Sequence, residues 1–95
     1  MDGKFSKRLS NLSKAVCEEL IRTAGLKRRD ERILIAWYIN EHTIYQIAND
    51  EHLQRESAYN AIAKARNRLH SILLWQSEFL PEKLHNVIKY LVHTA

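Results

Sequence analysis

The residues best equipped for chemistry in this 95-residue chain lie between Thr43 and Arg68. At about 100° per residue, Arg55, Glu56, Tyr59, Asn60, Ala63, Arg66 and Asn67 share one arc of a helix. Guanidinium forks, amides, a carboxylate and a phenol are groups that read base edges in the DNA major groove. Arginine suits guanine O6 and N7, glutamate accepts from cytosine N4, and an asparagine amide pairs with adenine. Arg55, Glu56, Tyr59 and Asn60 are therefore the candidate base contacts, with Tyr59 placed for a thymine methyl or a phosphate. Lys64, Arg66 and Arg68, together with Thr43 and Asn67, are the candidate phosphate contacts. The competing reading is a helical hairpin whose polar face meets only water.

Two helices and a turn must hold these groups. Thr43 is a good N-cap, and Gln46 three residues on completes a capping box. Ile44, Ile47 and Ala48 give the short helix an apolar side. Asn49-Asp50-Glu51-His52 ends the pattern, and Leu53 is the apolar residue such a turn tucks inward. The second helix starts near Arg55. Its inner arc, Ala58, Ala61, Ile62, Ala65, Leu69 and Ile72, is rich in alanine, which permits close approach of its neighbours. A short helix, a tight turn and a longer polar-faced helix form a helix-turn-helix.

Three stretches carry a family resemblance: Arg29-Asp30-Glu31-Arg32-Ile33-Leu34, then Thr43-Ile44-Tyr45-Gln46-Ile47-Ala48, then Arg55-Glu56 with Ala63-Lys64-Ala65-Arg66-Asn67-Arg68-Leu69. Together they resemble region four of bacterial sigma factors, the helix-turn-helix domain that recognises the upstream promoter hexamer. The likeness spans residues 28–74 and needs no gap from Thr43 to His70. Similar patterns occur in LuxR-type activator domains and small phage regulators. The resemblance implies that Arg55, Glu56 and Asn60 occupy base-touching positions and that Lys64, Arg66 and Arg68 occupy commonly basic ones. Four positions depart from the family pattern. Glu51 stands for a large apolar residue, His52 for glycine or a small polar residue, Ala58 for isoleucine or valine, and Gln54 for a better cap. No other sigma region is recognisable, so the expectation is an accessory factor, from a phage or mobile element, rather than a complete sigma factor.

Charge is distributed unevenly. Residues 1–32 carry 9 basic and 5 acidic groups, residues 33–53 none and 3, residues 54–70 carry 4 and 1, and residues 71–95 carry 2 of each. Positive charge thus gathers in the N-terminal third and on the proposed recognition helix, a pattern suited to a polyanion met by two surfaces. The partner expected is double-stranded DNA. The alternative is a protein module docking on RNA polymerase or a sigma factor, and a third class is a structural protein that shares only the shape.

With two glycines and one proline, the chain reads as all-α, a small domain of about five helices with the helix-turn-helix at its centre. The first 10 residues read as a loose basic arm, followed by a helix from about residue 11 to Ala24 capped by Ser10 or Asn11. Gly25 is a left-handed stop. Leu26-Lys27-Arg28-Arg29 is a connector that either reaches a phosphate backbone or is simply solvated. A helix over 29–40, apolar nearly all round, belongs in the middle of the domain, with Trp37 and Tyr38 in its core. A C-terminal helix over 81–93 carries Leu84, Val87, Ile88, Leu91 and Val92 at helical spacing. It covers the apolar segment 72–80, including Trp75 and Phe79, or else forms a homodimer or polymerase contact.

Cys17 lies on an apolar stripe and reads as a buried structural thiol. The five histidines show no metal-ligand spacing, and there is neither a phosphate-binding glycine loop nor a nucleophile elbow. No enzyme activity, metal or cofactor is expected. No stretch is long and apolar enough for a membrane span, and the reading is a cytoplasmic protein.

Overall fold

The computed structural model describes residues 3–92, and these form an all-α domain. Six α-helices occur in order: α1 (Gly3–Asn11), α2 (Lys14–Thr23), α3 (Arg28–Leu34), α4 (Ile44–Asp50), α5 (Arg55–Trp75) and α6 (His85–Val92). A π-helical turn (Ile35–Ile39) extends α3, and two 3₁₀ turns (Ser77–Phe79 and Glu82–Leu84) lead into α6.

From Gly3 onward the N-terminal segment corrects the expectation of a loose basic arm, whose first two residues lie outside the described residues. Phe5 and Leu9, four residues apart, are buried on one face of α1, and Phe5 stacks on His70 of α5 with ring centroids 4.3 Å apart. Ser6 bonds the hydroxyl of Tyr38 at 2.9 Å, and the Arg8 guanidinium lies 5.9 Å from the centre of the Tyr90 ring. Apolar anchoring outweighs the basic character of the stretch. The next helix accordingly begins later than expected. Ser13, rather than Ser10 or Asn11, caps α2 by accepting from the Val16 amide at 3.2 Å. Gly25 comes after α2 with φ +83°, the left-handed stop the sequence predicts.

Two apolar clusters hold the domain. Ile33, Ile44, Ile47, Ala48, Ala58 and Ile62 form the one beneath the helix-turn-helix. The other gathers Phe5 and Leu9 of α1, Cys17, Leu20 and Ile21 of α2, Ala65, Leu69 and Leu73 of α5, and Leu84, Ile88 and Leu91 near the C-terminus. The segment 33–39 lies between them. Ile33, Ala36 and Trp37 face the first cluster, whereas Leu34, Ile35, Tyr38 and Ile39 face the second. This explains its apolar character nearly all round. The π turn is closed by the Asn40 amide donating to the Ile35 carbonyl at 2.9 Å, and the His42 amide reaches the Ala36 carbonyl at the same distance. Burial pushes the Cys17 thiol up to about 11, in keeping with a structural rather than a reactive cysteine.

Leu84, Ile88 and Leu91 are at most 3% exposed, so the C-terminal helix covers the chain's own core. Burying each such side chain contributes about 1.5–3 kcal/mol. That core takes in Leu73 and Leu80 of the expected segment 72–80, but not its two aromatic residues. Trp75 and Phe79 remain 77% and 78% exposed, while α6 packs on α1 and the distal half of α5. Residue 93, included in the expected helix, lies outside the described residues. No helix among the described residues is long and apolar enough to cross a membrane.

Candidate nucleic-acid interface

The helix-turn-helix starts where local chemistry dictates. Thr43 accepts from the Gln46 amide at 3.2 Å, and the Gln46 side chain accepts from the Thr43 amide at 2.7 Å, completing the capping box. The turn closes through the Glu51 amide on the Ile47 carbonyl and the Leu53 amide on the Ala48 carbonyl. His52 supplies the left-handed residue of this turn, φ +58°, the conformation that glycine adopts most easily. Leu53 is half-buried against the nearby cluster, and Gln54 precedes α5 without a side-chain cap.

Glu51 has a structural use in this turn. Its two carboxylate oxygens accept from Arg32 at 2.7 and 2.8 Å, tying the turn to α3 with a bidentate pair. The Arg32 hydrogen bonds and charge, helped by Arg29 and His52 and opposed by burial, hold the Glu51 carboxyl below its ordinary value. Ala58, fully buried, lets α5 approach its neighbours closely.

On α5, Glu56, Tyr59, Asn60, Lys64 and Asn67 are exposed. Glu56, Asn60 and Asn67 recur at helical spacing and share one outward stripe, so three of the predicted polar groups are presented together. Arg55 sits at the edge facing α4. Its guanidinium lies 5.4 Å from the centre of the Tyr45 ring, and Nη1 donates to the Tyr45 hydroxyl at 2.6 Å. That single hydrogen bond leaves most of the Arg55 N–H donors open while fixing where the fork sits. Thr43 is exposed at the start of α4.

Two of the predicted phosphate contacts are turned elsewhere. Arg66 is half-buried and points towards the Tyr38 hydroxyl, 3.4 Å from Nη1. Arg68 is bound to Asp30, its Nη1 donating to both carboxylate oxygens at 3.0 and 2.8 Å. Asp30 is only 5% exposed, so Arg68 is first a structural counter-ion and not a freely offered cation. Lys64 has no such partner among the described residues.

No family model, characterised protein or solved structure matches the chain.

The structure adds one residue, Tyr45, to those read from the sequence as contacts, and gives Lys27 and Arg29 of the basic connector a place beside them. Tyr45, between the capping residue and Ile47, becomes a candidate by its contact with Arg55. Lys27 and Arg29, from the basic connector, lie beside Asn60 and Lys64 along one cleft. The only sequence signal for the pair is their charge.

Proposed function

We propose that this chain is a small sequence-specific DNA-binding transcription regulator that uses a sigma region four-like helix-turn-helix at promoter DNA. The observation that carries the reading is the outward stripe of α5. Glu56, Asn60 and Asn67 stand exposed on a helix presented by a capped short helix and a tight turn. Arg55 and Lys64 flank that stripe with cationic groups, so base-reading and phosphate-binding chemistry share one surface. The exposed Trp75, at the far end of the same helix, and Phe79, in the turn just beyond it, favour a second reading, a protein contact such as RNA polymerase or a sigma factor.

Selection of bound sequences from a random duplex pool, and then Arg55→Ala and Asn60→Ala, test the first reading. Each substitution should cost about 1–3 kcal/mol on the selected site and much less on random duplex. Equal losses on both DNAs make the residue a phosphate contact. No loss on either, with helicity intact by circular dichroism, removes base reading by this face.

A further inference from the structure

An open cleft of about 440 Å³ runs between the start of α3 and the middle of α5. Lys27, Arg29, Ser57, Asn60, Lys64 and Arg68 are the polar and basic residues among those that line it. Four of these are cations, and Asp30 is the one carboxylate among the lining residues. Both Asp30 oxygens are bonded to Arg68, which keeps that guanidinium against the wall of the cleft. Glu51 comes within 3.7 Å of Arg29 from outside, but its oxygens are held by Arg32. Neither Lys27 nor Lys64 makes an ion pair among the described residues. The cleft therefore keeps an excess of positive charge, with a hydroxyl and an amide as neutral donors beside it.

Lysines and arginines gathered around one cleft with a hydroxyl and an amide beside them suit an oxyanion that has several acceptor oxygens. We propose that this cleft binds a phosphate group, and that its occupant is a backbone phosphodiester of the duplex contacted by α5. The choice of duplex as the source rests on the DNA reading above. Asn60 gives the site its consequence, because it lines the cleft and also stands on the outward stripe of α5. A phosphodiester seated between Lys27 and Lys64 sets which base step lies before Asn60. The cleft thereby fixes register, and α3 becomes part of the interface.

The probe is Lys27→Gln/Lys64→Gln in the full chain, with Lys83→Gln/Lys89→Gln as the charge-matched control. Duplex affinity is measured across a salt series. In parallel, inorganic phosphate is titrated while the Ser57 and Asn60 amide resonances are monitored. The salt slope should fall by about one unit in the cleft variant, as for one lost phosphate contact, and stay unchanged in the control. Inorganic phosphate should move both resonances in the wild type but not in the cleft variant. Equal slopes in wild type and cleft variant overturn the backbone assignment even when DNA binds. Absence of phosphate-induced shifts in the wild type overturns the site itself. A wild type that ignores duplex yet shows the shifts removes the DNA reading and keeps the cleft as a site for free phosphate.

Discussion

Arg68→Met separates a structural arginine from a DNA-contacting one. The substitution keeps much of the aliphatic stem and removes the charge opposite Asp30, which is 5% exposed. At an effective dielectric of about 20, unit charges roughly 4 Å apart attract by about 4 kcal/mol. Leaving a buried partner uncompensated costs about 3–5 kcal/mol. The Arg68 side chain is 51% exposed, so solvent screens part of that interaction, and the expected loss is about 2–3 kcal/mol. Against a total stability of about 5–14 kcal/mol for a domain of this size, the change is easily read from urea unfolding at constant m. Asp30→Leu combined with Arg68→Met removes both charges and should return to within about 1 kcal/mol of the wild type. A loss below about 0.5 kcal/mol for Arg68→Met, with m unchanged, refutes the structural assignment and leaves Arg68 as a surface cation.

Glu51→Gln tests the tie between the turn and α3. The Arg32 hydrogen bonds, then its charge, hold the folded-state carboxyl below its ordinary 4.5, so the pair's stabilisation is fully present above that value and fades as pH falls through the folded-state value. The variant should lose about 1 kcal/mol at pH 7, or about 4–8 °C in Tm, and the gap should close in acid. A gap that stays constant down to about pH 2.5 contradicts the assignment. For the C-terminal helix, Leu91→Ala should cost about 2–5 kcal/mol in urea unfolding without changing the sedimenting mass. A folded variant that instead goes from dimer to monomer makes α6 an interface.

The elements most legible in the sequence are those fixed within a few residues. Thr43 and Gln46 cap each other, Gly25 stops α2, and the alanine-rich face of α5 is set by periodicity alone. The N-terminal segment is obscured because Lys4, Lys7 and Arg8 suggest a solvated arm, although Phe5 and Leu9 already have helical spacing. Glu51 looks like a defect in sequence because its partner, Arg32, lies 19 residues upstream. Arg68 looks like a phosphate contact for the same reason, its acceptor Asp30 being 38 residues away. Tyr45 escapes notice because its value depends on how α4 crosses the start of α5. The outward residues of α5 are legible from helical phase, whereas the cleft needs α3 to be placed.

The π turn between Ile35 and Ile39 changes the phase of the chain ahead of the helix-turn-helix. Its hydrogen bonds span one residue more than those of an α-helix, so it takes up an extra residue and rotates the downstream chain by roughly 100° relative to a regular helix. Removing one residue from this stretch would leave every later side chain chemically intact but turned. Trp37 and Tyr38 could no longer serve opposite clusters, and Thr43 would leave the preceding helix in a different direction. An insertion or deletion here is therefore a rotation rather than a change of length. The orientation of α4 and α5 against the rest of the domain is encoded in the residue count of a stretch that belongs to neither helix.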